Sequence, residues 1–357
     1  MVKAQERNVS IPDSEREGFL NSADIQGVSE EMNIRKNIKQ GKEIIPVKTT
    51  MEERYLLRLA NGQGWEIAAA EGVGPWVEKL ASIMQLRNCE PNGYPKLIFI
   101  RKRPHADWWR EPVFMLTRDI QAEIPRSGWK PQHLESLHLW AHSDVPDVIC
   151  EMGDEEDYYR DIVRMWLSLS PVYNRALELG GLPLHAALVE RNGTGVLLSA
   201  AGGTGKSTCC RRIPFPWKVL CDDLVLIVAD THKQYQAHPF PTWSNYLGEL
   251  SEATWDVQHH LPLSAIFFLE QATTDEVIPV GRGQASALIT ESSAQIFGIG
   301  WRNLIREEER ILKQKVFDNA CELAKSIPAF RLRVSLNGRF WEEMERVLLG
   351  RVWRLER

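Results

Sequence analysis

The chain has 357 residues, 43% of them hydrophobic and 25% charged, with a formal net charge of −5. That length exceeds the roughly 250–300 residues at which one core stops growing, so two domains are expected. The acidic balance argues against nucleic acid as a partner, and no apolar run approaches the roughly 20 residues of a membrane span.

The first residues lack the apolar core of a signal peptide. The six cysteines show neither C-x-x-C nor metal-ligand spacing, so a cytoplasmic protein with free thiols is expected. Residues 1–50 are polar, mixed in charge and almost free of aromatics, which predicts a flexible arm. Within it, Ile44, Ile45 and Val47 form the one apolar patch.

From Glu52 the pattern changes. Two strand-like runs, 54–59 and 65–67, flank a turn carrying Gly62 and Gly64. Trp76, Val77, Leu80, Ala81 and Met84 recur at helical spacing and predict one buried helix face. Further strands are expected at 96–100 and 112–116, with two more between 134 and 150. These elements make a small α+β domain over 51–150, a candidate for substrate recognition. It carries Trp65, Trp76, Trp108, Trp109, Trp129 and Trp140 but no catalytic constellation.

The stretch 151–180 reads as a linker. Acidic residues lead into a helix over 161–179 whose Ile162, Met165, Trp166, Leu169 and Val172 form an apolar stripe. Pro171 is expected to kink or divide that helix, and Gly180 and Gly181 to end it.

The second domain, 181–357, opens with a hairpin of 182–189 and 195–199. It feeds the sequence V-L-L-S-A-A-G-G-T-G-K-S-T, residues 196–208. An apolar strand followed by a glycine-rich turn and then Lys-Ser-Thr is the pattern of a phosphate-binding loop. Ala200 stands where the strict G-x-x-x-x-G-K-[ST] pattern has its first glycine. The candidate nucleotide-binding residues are Ala201, Gly202, Gly203, Thr204, Gly205, Lys206, Ser207 and Thr208. Lys206 would reach the β/γ-phosphates of ATP, and Ser207 would help to hold Mg²⁺.

Pro214 and Pro216 keep the following helix short. A strand over 217–221 then ends at Asp222 and Asp223, two carboxylates suited to holding Mg²⁺ and accepting a proton from an attacking hydroxyl. His185, on the first strand of the hairpin, is read either as a core histidine or as a partner that adjusts the acidic pair, with Asp222 the carboxylate in view. The prolines of 238–244 predict an extended loop that either packs on the core, with Trp243 as its anchor, or contacts substrate or nucleotide. Strands at 224–228, 263–269 and 331–336, helical sequence over 285–324 and a helix over 340–349 complete the domain. Arg282 reads as an exposed turn residue. Arg101 to Arg103 and the pair Arg211, Arg212 read as solvated surface.

The order of His185, the segment 202–208 and the pair Asp222-Asp223 resembles the HPr kinase/phosphorylase family, with its phosphoenolpyruvate-carboxykinase type of nucleotide fold. The segments 180–188, 202–208 and 238–244 resemble most closely its relatives encoded beside radical-SAM peptide-maturation enzymes, the SynChlorMet cassette group. The resemblance implies an α/β domain of that kind, preceded by the small α+β domain. It also implies Mg²⁺- and ATP-dependent transfer of a phosphoryl group to a Ser or Thr hydroxyl of a peptide or small carrier protein, and an oligomer. Radical-SAM maturation enzymes become candidate partners. Under it Asp222 becomes the general base, Asp223 with Ser207 the metal ligands, and Lys206 and His185 their catalytic companions. The family's downstream L-E-x-R-G run has no clear counterpart here. The alternative reading is a catalytically inactive scaffold that binds nucleotide and recognises a peptide.

Overall fold

The computed structural model describes residues 54–355 apart from 71, 103–111, 117, 135–136, 154–156, 249–250 and 302–305. The arm expected at 1–50, Trp108, Trp109 and Arg103 lie outside the described residues. The architecture is mixed α/β, with two mixed sheets and helices packed around them.

The first sheet is built from β1 (Arg54–Arg58), β2 (Gly64–Ala69), β3 (Arg87–Asn88), β4 (Lys96–Arg101), β5 (Lys130–Leu134), β6 (Leu137–Ala141) and β7 (Val148–Met152). Their order is β3-β1-β2-β4-β7-β6-β5, with β2, β4 and β7 parallel. Helix α1 (Gly74–Ile83) covers it with Val77, Leu80 and Ala81, the face expected from spacing. The strand expected at 112–116 is a 3₁₀ turn, Pro112–Met115, followed by α2 (Arg118–Glu123). The apolar run there is short and begins with proline, so periodicity alone could not separate strand from turn.

The linker divides at the proline, as expected. Helix α3 (Tyr158–Ser168) starts at Asp157, whose carboxylate accepts from the Arg160 N–H at 3.2 Å. Helix α4 (Ser170–Glu178) begins with Pro171 in its first turn, where a missing N–H costs nothing.

The second sheet contains β8 (Leu182–Arg191), β9 (Thr194–Ser199), β10 (Lys218–Cys221), β11 (Leu224–Ala229), β12 (Tyr235–Phe240), β13 (Leu261–Gln271), β14 (Glu276–Pro279) and β15 (Ala329–Val334). Strand β8 pairs with β11, β11 with β12, β12 with β13, β13 with β9, and β9 with β8, so five strands close a circuit. Alternate residues face opposite ways. Ala187, Val189, Val196, Leu198 and Phe267 pack against α5 (Lys206–Arg212) and α9 (Phe340–Leu355). Leu184, Ala186, Leu188, Leu197 and Ile266 turn to the other core, which reaches α7 (Arg282–Trp301) and α8 (Arg306–Ser326). Arg282, at the start of α7, is exposed.

That core also contains Leu57, Ile67, Phe99 and Cys150 of the first sheet and Ile162, Met165 and Val172 of the linker helices. It runs without a break past the boundary expected near residue 150. Residues 253–258 stitch the two sheets together: the Trp255 N–H donates to the Ile83 carbonyl at 2.8 Å and Gln85 Nε2 to Thr254 Oγ1 at 2.7 Å. His238, fully buried, accepts at Nε2 from the Ala60 N–H at 3.1 Å and donates from Nδ1 to the Val257 carbonyl at 2.9 Å.

The extended loop expected over 238–244 is therefore corrected. His238 to Phe240 end strand β12, and α6 (Ser244–Gly248) follows after three residues. Trp243 is buried beside Tyr246. All six cysteines are free. Among the described residues no helix is long and apolar enough to cross a membrane.

Candidate functional site

Strand β9 delivers the chain to Ala200 and Ala201, where the backbone leaves the sheet and turns. Gly203 (φ +78°) and Gly205 (φ +106°) take left-handed conformations that side chains strain to adopt, which lets the turn fold back into α5 at Lys206. Gln271, at the end of β13, pins the turn by donating from Nε2 to the Thr204 carbonyl at 3.2 Å. The first N–H in α5 with a helical acceptor is that of Cys209, which bonds the Gly205 carbonyl at 2.9 Å. The N–H groups of Lys206, Ser207 and Thr208 precede it, as the unpaid donors of any helix start do.

Asp222 and Asp223 arrive from the opposite side. Strands β10 and β11 both run antiparallel to β8, in line, with the two acids forming a bend between them. The bend is fixed by the Ala186 N–H, which donates to the Asp223 carbonyl at 3.1 Å. On the other flank, Leu224 pairs with Phe240 of β12. Two residues further along that register Thr242 comes opposite Asp222, and its Oγ1 donates to Asp222 Oδ1 at 2.7 Å.

These elements enclose a cavity of about 430 Å³ lined by the turn 201–203, by residues 205–208 and by Arg211, His185, Asp222, Asp223, Thr242, Ser244 and Asn245. All the predicted site residues line it except Thr204, which contributes its carbonyl to the Gln271 bond. Thr242 and Ser244 belong to the segment expected either to pack or to meet substrate or nucleotide, whereas Asn245 was not singled out and Arg211, read as solvated surface, lines the cavity as well. The register that places Thr242 opposite Asp222 becomes readable only once β12 is recognised as a strand.

One expectation changes. His185 pairs with Asp223 and not with Asp222: its Nε2 lies 3.0 Å from Asp223 Oδ1. Lys206 Nζ is 3.7 Å from the same oxygen, an ion pair but too long for a hydrogen bond. The two carboxylates therefore have different neighbours, two potential cations for Asp223 and one hydroxyl for Asp222.

Burial works against ionisation of Asp223. The His185 hydrogen bond and the Lys206 charge outweigh it and hold the carboxyl below its ordinary range. For Lys206, only 8% exposed, burial dominates and lowers its pKa, with Asp223 and Asp222 opposing. Its Nζ is buried without a hydrogen-bond partner. Burial, aided by Asp222, pushes the neighbouring Cys210 thiol up to about 12, so it offers no thiolate at neutral pH.

The orphaned ammonium tests what the cavity fits. A buried cation facing a polar cavity beside three unpaid N–H groups suits a polyanion. For a divalent metal, the side chains within the cavity wall that could serve are Ser207, Asp222 and Asp223. Among the described residues no cluster of three or more His, Cys, Asp or Glu could hold a metal on its own, so a cation here would share its ligands with a bound anion.

Fold and site together define a mixed α/β protein built around a glycine turn, a buried lysine and a pair of carboxylates. Residues 148–349, more than half of the chain, match the family model of the SynChlorMet cassette protein ScmC, and the chain belongs to that family. The match includes the linker helices, the second sheet and every residue of the cavity. No curated protein matches the chain.

Proposed function

We propose that the protein is an ATP-dependent kinase with the glycine turn as its phosphate-binding loop, acting on a Ser or Thr hydroxyl of a peptide or small carrier protein in a peptide-maturation cassette. The observation that carries this reading is Lys206: a buried ammonium without a hydrogen-bond partner, aimed into a polar cavity whose other wall presents Asp222. A kinase of this class works by positioning and charge neutralisation. Lys206 and the N–H groups of the turn hold the terminal phosphates. Asp222, kept in place by Thr242, takes the proton of the acceptor hydroxyl as its oxygen bonds to the γ-phosphorus and the bond to ADP breaks. Ser207 and Asp223 would hold Mg²⁺, which would supply further neutralisation of phosphate charge. The first sheet, which shares a core with the cavity domain, is the natural place for the rest of the acceptor to lie.

A second reading has one observation in its favour. Asp223, the metal ligand implied by family resemblance, is already engaged by Lys206 and His185. A scaffold that binds nucleotide and recognises a peptide without modifying it would tolerate that arrangement.

Asp222→Asn distinguishes the two, since it keeps the acceptor for Thr242 but removes the base. With labelled ATP and the peptides encoded beside the gene, the kinase reading expects transfer by the parent and a loss of about 10²-fold or more in the variant. ATP affinity should be unchanged by calorimetry. ATP binding without transfer by the parent, across several divalent metals, rejects the kinase in favour of the scaffold.

A further inference from the structure

His185 is held from the side away from Asp223 by helix α7, through residues outside both the glycine turn and the acidic pair. Ser292 and Gln295 stand three residues apart on α7 and so share one face. Ser292 Oγ donates to the His185 carbonyl at 3.2 Å, and Ser199 Oγ donates to the same oxygen at 3.3 Å. These two bonds fix the backbone. Gln295 fixes the ring, its Oε1 lying within hydrogen-bond reach of His185 Nδ1 while Nε2 faces Asp223 Oδ1.

The chemistry of the two partners differs. An ionised carboxylate only accepts, so the ring nitrogen facing Asp223 must carry a proton. A primary amide can do either: its oxygen accepts from a protonated Nδ1, and, turned over, its NH₂ donates to a bare one. Gln295 can therefore hold Nδ1 by its oxygen or by its NH₂, with the Nε2 of His185 turned to Asp223.

We propose that Gln295 is the positioning residue of the site, holding the His185 ring from its Nδ1 side so that Nε2–H stays on Asp223. Asp223 is thereby fixed between His185 and Lys206 before any nucleotide arrives. On the kinase reading, on which this last step rests, the division of labour follows: Asp223 orients Lys206, and Asp222 is left as the carboxylate open to the acceptor.

The test does not need turnover. In protein labelled with ¹⁵N-histidine and free of nucleotide, the Nε2 proton of His185, identified by its loss in His185→Asn, should appear hydrogen-bonded and slow to exchange with water. Gln295→Leu should speed that exchange about tenfold, the equivalent of one ordinary hydrogen bond. Gln295→Glu, which can still accept from Nδ1, should restore slow exchange. Gln295 is exposed, so the fold should tolerate both changes; thermal melts and Gln295→Met guard against a general loosening. An exchange rate in the Leu and Met variants equal to that of the parent overturns the proposal. If transfer activity is present, Gln295→Leu should lower kcat about tenfold while the ATP KM stays within about twofold. A protein that shows the exchange effect but transfers no phosphate would refute the kinase reading and leave the role of Gln295 standing.

Discussion

Replacing Lys206 by methionine separates two consequences of burying an ammonium group. The side chain is 8% exposed, has no hydrogen-bond partner at Nζ and meets Asp223 only at 3.7 Å. Burial lowers its pKa from the ordinary 10.5 despite the attraction of both aspartates, so in the empty site the charged form is less well solvated than in water. Apolar replacement of a buried charge pair is often neutral or stabilising by about 1–4 kcal/mol. Here only the lysine goes, which would ordinarily leave its partner uncompensated, but Asp223 keeps His185, so relief from burying the ammonium prevails and the methionine variant should gain at most about 1 kcal/mol in urea unfolding without nucleotide. The sign has a pH dependence. As pH rises from neutral toward 10.5 the folded parent sheds its proton before the unfolded chain does, so the parent becomes relatively more stable and the difference narrows. Nucleotide binding should move the other way. Losing a charge-assisted contact of about 2–3 kcal/mol weakens Mg–ATP binding roughly 30- to 150-fold, which calorimetry reads directly. A variant that is less stable than the parent and binds ATP equally well would show that Lys206 is a structural cation, and the phosphate-binding assignment would fall.

Two further outcomes are expected. Gly205→Ala meets open space at its new methyl group but a backbone at φ +106°, so its penalty should be pure strain of about 1–2 kcal/mol by chemical denaturation, and no loss at all would mean the turn does not need that conformation. His238 titrates in the unfolded chain near 6.5 but is held down to about 4 in the fold, first by burial, although its bond to the Val257 carbonyl opposes this. Stability should therefore be full above pH 6.5 and fall as the pH drops toward 4, by about 3 kcal/mol in all. His238→Gln should flatten that part of the profile, and an equally steep fall in the variant would assign the acid sensitivity elsewhere.

The elements that were legible in the sequence are those whose signal is local. Val196 to Ser199 followed by glycines, the hairpin turn at Asn192 and Gly193, and Pro171 between two helices each state their conformation within a few residues. Strand β12 shows what defeats such reading. His238 and Pro239 look like loop composition, because proline lacks the N–H that a central strand needs. Yet β12 pairs with β13 only through Gln236 and Ala237, so at Pro239 only the β11 flank carries a strand partner and the missing donor is tolerated. The histidine is buried because backbone groups of Ala60 and Val257, both distant in sequence, satisfy its two nitrogens. Nothing near residue 238 announces those partners.

The exchange of roles within the acidic pair has the same origin. His185 is the register partner of Leu224 on β11. Strict alternation from Leu224 would place Asp222, not Asp223, on the face of the imidazole. The alternation does not hold, because both acids lie in the bend between β10 and β11, although the register with β8 is the same at Cys221 as at Leu224. The bend turns Asp223 toward His185 and Lys206 and leaves Asp222 to Thr242, which β12 brings opposite it. The bend thus gives two adjacent carboxylates unlike environments, and unlike environments are what allow neighbouring acids to do different work.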